Sequence, residues 1–345
     1  MGSWFSRWFG SKATPAAPAP APRGDAPAKA EAKPAEKPAE PLTRDELLEA
    51  LQLKLPEKPP APIDPALAAT VLESFRQSPQ VPASPPALAM RILNLISQPD
   101  PDPNELAKMV TLEPALTAGV LRVANSAANQ GVAKISTLRE GITRLGTVEV
   151  ASICAALSTK SVFGPGRRAE EAKYGAAFGE LFVHATATAL ASASLAFSLP
   201  KLKTRSDTVF LAALLHDIGM SVGLSVYATL NARGSVPGLA REPLQQLLDA
   251  VHVEIGAAIH REWKLPDPAL QICEHHHSGA AADAAHELQV VKLTSALQLL
   301  HGFPNEARLE EIRDAAHLLG LSRYSLRSFD GDVRRFTATA KSIGG

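Results

Sequence analysis

The residues of this 345-residue chain best suited to chemistry are its ten histidines, and none of them precedes His184. His184 stands alone, His216 is followed by Asp217, His252 stands alone, and His275, His276 and His277 form a run. Each lies inside or at the end of a segment whose apolar spacing predicts a helix. Packed helices bring side chains from distant sequence to one point. Imidazole and carboxylate suit Zn, Fe, Mn or Ni. A His-Asp pair at a helix end can offer two unlike ligands to one ion, and its carboxylate can bridge two. Two ions about 3.5–4 Å apart clamp a phosphoester and supply a hydroxide nucleophile.

Each candidate also has an ordinary alternative. A single histidine on an Ala-rich helix, as at His184, is more often an interior residue with a satisfied hydrogen bond, and His252 taken alone reads the same way. The run His275–His277 can be a solvated helix end, where imidazolium suits the negative end of the dipole. Leu214-Leu215-His216-Asp217-Ile218-Gly219 is more specific. Helix packing alone does not require an apolar run to close on His-Asp, although Asp217 can also cap the next helix.

The elements that must position these residues read as helices throughout. Apolar residues recur at three- and four-residue spacing from about Pro65 onward. The spacing predicts helices over Pro85–Gln98, from a cap at Asp102 or Asn104, over Pro114–Asn125, from a capping Ser136 to Leu145, and over Thr147–Phe163. Gly164-Pro165-Gly166 then breaks the chain between two lobes. One or two Ala-rich helices follow over Ala169–Leu199. Further helices are expected at Asp207–Leu215, Pro243–His252, Glu254–Trp263, Asp267–Glu274 and Glu287–His301, with a last pair near Glu306–Leu318 and Ser325–Ser342. No alternating strand pattern occurs. The expected fold is all-α: a lobe over 65–163, a second over 167–303 and a helical extension over 304–345.

Residues 1–62 differ. They hold 12 of the 28 prolines, and such a tract buries too little apolar surface to offset its ordering entropy. It reads as a disordered tether, interrupted by a short helix at Thr43–Lys54, where Thr43 and Glu46 fit a capping box. Trp4, Phe5, Trp8 and Phe9 at its start could make a weak membrane or partner contact. Met1–Ser6 also fits the loose myristoylation pattern, which is too short to be specific.

Charge excludes some function classes. Lys+Arg and Asp+Glu are equal at 35 each, which argues against a protein that coats nucleic acid. Aromatic residues, at 5%, are too few for base-stacking platforms. The two cysteines, Cys154 and Cys273, read as buried reduced thiols and exclude a disulfide framework. No uninterrupted apolar run reaches bilayer length and no secretory leader is seen, so the expected compartment is the cytoplasm.

Leu214–Gly219, His184 upstream, the His-x-x-x-Gly stretch His252–Gly256, Trp263-Lys264-Leu265-Pro266 and the pair His275-His276 resemble the HD superfamily of metal-dependent phosphohydrolases. The chain resembles more closely the HDOD branch, the HD-related output domain of bacterial signalling proteins. Glu113-Pro114-Ala115-Leu116, Leu121–Ser126 and Ile142–Gly146 resemble the first half of that domain, so the likeness runs from about Val81 to His301. It implies a two-lobed helical fold with His184, His216, Asp217, His252, His275 and His276 as a remnant metal set. It also implies a regulatory output role with lost or weakened hydrolysis. Active HD enzymes carry a closing Asp on a later helix, and Ser295 falls at the matching place. A neutral hydroxyl is a poor ligand for a hard dication. Ser278–Ala281 lacks the Gly-Tyr-Pro element of the cyclic-dinucleotide phosphodiesterases. No catalytic residue is assigned and no organic cofactor is expected, while a residual divalent Zn, Fe or Mn ion stays open. The expected role is a non-catalytic signal-transduction module acting on partner signalling proteins. The alternatives are a metal-dependent phosphohydrolase and a nucleotide-binding sensor.

Overall fold

A computed structural model describes residues 40–344 apart from 58–60, 80, 83–85, 99, 127–128, 130–133, 166–167, 203, 205 and 279–285. Trp4, Phe5, Trp8, Phe9 and most of the expected tether lie outside the described residues. Among the described residues the regular structure is helical, with no strand.

The first lobe runs α3 (Ala87–Ile96), α4 (Pro103–Thr111), α5 (Pro114–Ala124), α6 (Leu138–Leu145) and α7 (Thr147–Ser158), after α1 (Arg44–Leu51) and α2 (Pro65–Gln77). The second lobe runs α8 (Arg168–Ser198), α9 (Ser206–Leu215), α10 (Ile218–Ala232), α11 (Arg241–Glu262), α12 (Asp267–His275) and α13 (His286–Leu300). Helices α14 (Glu306–Leu318) and α15 (Arg323–Gly344) follow.

Local chemistry sets many of these boundaries. The Thr43–Glu46 capping box starts α1 as expected, and Asp102 rather than Asn104 caps α4, ahead of Pro103. Helix α6 begins one residue later than the sequence suggests. Thr137 is its cap, in a reciprocal box with Glu140, while Ser136 donates its own backbone N–H to the same carboxylate. One expectation is corrected by packing. Arg241–Glu262 is one continuous helix, because positions 251–257 bury Val251, His252, Ile255 and Gly256 without a break. Arg168–Ser198 is a single helix, the first of the two alternatives the sequence left open.

Helix α8 is the axis of the second lobe. From His184 to Ala196 every residue is buried, which its small side chains allow from all sides. It packs against α9, α10, α13 and α15. Two helices pack against elements other than those their place in the sequence suggests. Helix α2, placed by sequence with the first lobe, packs on α10 and α11 of the second. Helix α1, placed within the tether, buries Leu47, Ala50 and Leu51 and packs against α15. Helix α15 also touches α5, α7, α8 and α13, so it joins both lobes.

Two stretches, Ala172–Ser198 and Thr208–Ala232, are long and apolar enough on average to cross a bilayer, although neither is an uninterrupted apolar run. The apolar 18-residue windows within them are 83% and 89% buried inside the protein, as core helices are.

Candidate metal centre

Five of the six expected site residues meet in the second lobe. His184 comes from α8, His216 and Asp217 from the α9–α10 junction, His252 from α11 and His276 from the end of α12. All five are 3% exposed or less. His275 is the exception and corrects the sequence reading. It is exposed, because successive positions at a helix end point in different directions and only His276 faces inward. His277 joins from the following turn instead: a ligand atom of each of Asp217, His252, His276 and His277 lies within 4.8 Å of the others. The run of three histidines carried this signal, but sequence alone did not say which members turn inward.

Two glycines explain how the helices come so close. A Cβ on Gly219 would lie 2.0 Å from the His252 carbonyl oxygen and 2.6 Å from the Gly256 nitrogen. A Cβ on Gly256 would lie 2.8 Å from Cys273 Sγ. The backbones of α10 and α11 therefore touch where Asp217 and His252 must meet, and only glycine permits it. Beyond His252, α11 ends at Trp263, whose indole N–H donates to the Pro82 carbonyl at 2.9 Å, and Lys264 takes the left-handed conformation (φ 51°).

Asp217 stands at the N-terminal cap of α10 but makes no side-chain cap bond. Its carboxylate turns to the imidazoles. Oδ2 lies 2.9 Å from His184 Nε2 and 3.2 Å from His216 Nε2, and Oδ1 lies 3.0 Å from His276 Nε2 and 3.4 Å from His252 Nε2. One carboxylate thus serves two histidine groups.

The far ring nitrogens fix the protons. His216 Nδ1 donates to the Ala213 carbonyl at 2.7 Å. His252 Nδ1 lies 3.0 Å from the Leu248 and Asp249 carbonyls, and His276 Nδ1 lies 3.1 Å from those of Ile272 and Cys273. A nitrogen facing carbonyl oxygens must carry the hydrogen, so each neutral ring has a bare Nε2. Burial pushes His216 and His276 down to about 4, which keeps both neutral at ordinary pH. Burial alone would raise the Asp217 carboxyl. The neighbouring His216 and His252, with a hydrogen bond from His184, hold it well below the usual carboxylate range.

Lone pairs therefore converge on one point. His252 Nε2 and His276 Nε2 are 3.3 Å apart, and Asp217 Oδ1 has no hydrogen-bond partner. Three acceptors facing one another around a buried negative charge are what a cation would satisfy, and with His277 the set is three imidazoles and a carboxylate. These residues fit a divalent metal ion. The other group, His184, His216 and Asp217, is closed by Ser295, whose buried hydroxyl lies 3.1 Å from His216 Nε2 and 3.5 Å from His184 Nε2. His184 Nδ1 contacts Gln298 at 2.5 Å.

Burial also lowers His277 to about 4 and raises the Glu311 carboxyl, whose Oε1 accepts from His277 Nδ1 at 2.8 Å. Both cysteines are buried free thiols, and burial pushes Cys154 up to about 12. A cavity of about 700 Å³ between α8, α13 and α15 reaches the cluster at His184, with Arg241, Gln245 and Gln298 among its walls.

This helical frame and its histidine–aspartate junction define an HD-type domain. Residues 83–279, more than half of the chain, match the HDOD domain family, and the chain belongs to it. The match stops short of α13, so Ser295 lies beyond it. An HDOD domain protein of unknown function from Geobacter sulfurreducens is similar over 81% of this chain and 99% of its own, with 20% identity and a TM-score of 0.56. A Shewanella amazonensis SB2B protein with the provisional name of metal-dependent phosphohydrolase is similar over 81% of this chain and 98% of its own, at 18% identity and TM-score 0.55. A Marinobacter aquaeolei VT8 protein provisionally named for signal transduction covers 88% of this chain and 66% of itself, at 17% identity and TM-score 0.50. At these identities the likeness is one of fold. Among curated sequences, an uncharacterized protein of Treponema pallidum (strain Nichols) is 23% identical over 217 residues. That alignment takes in 61% of this chain and 40% of the relative's length.

Proposed function

We propose that the chain is a regulatory output module that holds a single divalent ion, does not hydrolyse phosphoesters, and acts by binding partner signalling proteins from the cytoplasm. The observation that carries this reading is the Ser295 hydroxyl against His216, where a second carboxylate would make a two-ion centre. Two dications facing Asp217 alone would leave three uncompensated positive charges in a buried site, a severe desolvation cost. One dication at Asp217, His252, His276 and His277 would leave a single one. When bound, such an ion would polarise an oxygen ligand. The five buried side chains, however, are sealed from a substrate on most sides. In this role Asp217 fixes the junction of α9 and α10, and the imidazoles tie α8, α11 and α12 to it.

The test is metal content of the purified full chain, followed by hydrolysis of bis(p-nitrophenyl) phosphate with Zn²⁺, Mn²⁺ or Fe²⁺ supplied. About one metal per chain, with no turnover above that of His216→Ala and Asp217→Ala, supports the reading. A metal-dependent rate abolished by those changes overturns it in favour of a phosphohydrolase.

The cavity at His184 favours a second reading, a sensor that binds a nucleotide without cleaving it. Its volume suits a small ligand, and Arg241 stacks on Phe303 at 4.3 Å at its edge. A nucleotide that binds only the folded chain would raise its melting temperature by mass action. No shift across a panel of nucleoside mono-, di- and triphosphates would exclude this reading.

A further inference from the structure

Helix α14 lies outside the matched family segment, yet one of its side chains reaches the metal centre. Glu311 Oε1 accepts from His277 Nδ1 at 2.8 Å, and the two side chains are only 16% and 30% exposed. With its Nδ1 hydrogen held, His277 has one free nitrogen, Nε2, which is buried and without a hydrogen-bond partner. The turn that carries His277 is held from α13 as well, where Lys292 Nζ donates to the Ser278 carbonyl at 3.1 Å.

We propose that Glu311 is a positioning residue for the metal centre: its carboxylate fixes the His277 ring with Nε2 turned to the ion and brings a second negative charge beside Asp217. The other imidazoles, His216, His252 and His276, direct their Nδ1 hydrogens to neutral backbone carbonyls. His277 is thus the one of these four whose orienting partner is an acid. A carboxylate behind a ligating imidazole fixes the ring and makes it a better donor, and losing it typically costs 10–100-fold in metal affinity. The inference rests on the single-ion reading above and assigns the ion's remaining countercharge to α14.

The test is Zn²⁺ affinity of the full chain, measured by competition with a chromophoric chelator, with thermal unfolding of the metal-free protein as a folding control. Glu311→Ala and His277→Ala should each weaken binding about 10–100-fold. Because they act largely through one ring, the double variant should bind at most several-fold worse than His277→Ala alone, well short of additive losses. Glu311→Gln keeps the shape and one acceptor oxygen. It covers the case in which Glu311→Ala loosens α14, and it should still lose several-fold in affinity for want of the charge. Wild-type affinity in every folded Glu311 variant, or additive losses in the double variant, would overturn the proposal and leave the single-ion reading intact. A wild-type chain that takes up no Zn²⁺ overturns both.

Discussion

Asp217 organises the site at the scale of single residues, with one oxygen toward His184 and His216 and the other toward His252 and His276. Ser295 decides what the first pair can do. Ser295→Asp should supply the missing charge and raise bound metal from one toward two per chain, read by elemental analysis. Unchanged stoichiometry would show that something other than charge limits loading. Protonation gives a second expectation. His216, His276 and His277 are held near 4 in the folded chain against an ordinary value of 6.5. Between those values the unfolded chain binds more protons than the folded one. Stability of the metal-free protein should therefore fall as pH drops from about 6.5 to about 4, and Asp217, held well below the usual carboxylate range, should carry the fall further. Urea denaturation at a series of pH values checks the slope, and a flat profile would contradict neutral burial. The histidines and the HD junction were legible in the sequence because their types announce chemistry. Which of His275, His276 and His277 turn inward was not, since that depends on where α12 ends. Nor was Glu311, which is 34 residues from the ring it orients.

Helices deliver these side chains through two backbone contacts that no periodicity reveals. Gly219 stands against the His252 carbonyl, and Gly256 stands against Cys273. Gly219→Ala must separate α10 from α11, and should cost about 3 kcal/mol or more, at the upper end of overpacking. It should also weaken Zn²⁺ binding, because Asp217 and His252 part with the helices. Gly256→Ala meets a side-chain sulfur that can yield, and should cost less. Calorimetric melting of both variants tests the order, and the reverse order would place the tight contact elsewhere. Most helices could be read from apolar spacing and caps, as at Thr43 and Asp102, because those signals are local. The continuity of α11 through His252 was not readable, since the spacing on either side of Val253 reads equally well as two short helices end to end.

Across the whole molecule, α15 ties the parts together by touching α1, α5, α7, α8 and α13. Phe336 on its inner side is 3% exposed, and Phe336→Ala should cost about 3–5 kcal/mol. Because its helix spans both lobes, the loss should lower one shared transition and not split off a single lobe. Two resolved transitions in the calorimetric trace would show that the lobes unfold independently. Sequence placed α1 in the tether and α2 in the first lobe because punctuation by Gly and Pro marks where elements stop. It does not record which neighbour they later lie against.

The burial of the five cluster residues carries a consequence for time as well as for affinity. Three of the ion's four proposed holders are fully enclosed and the fourth, His277, is only partly exposed, so exchange would wait on movement of the turn that carries His277 and not run at the rate of diffusion. On the proposed reading, loading would then register which metals were on hand while the chain was folding, and a chelator added afterwards would strip it slowly. The domain would carry a memory of its birth conditions into whatever assembly it later joins.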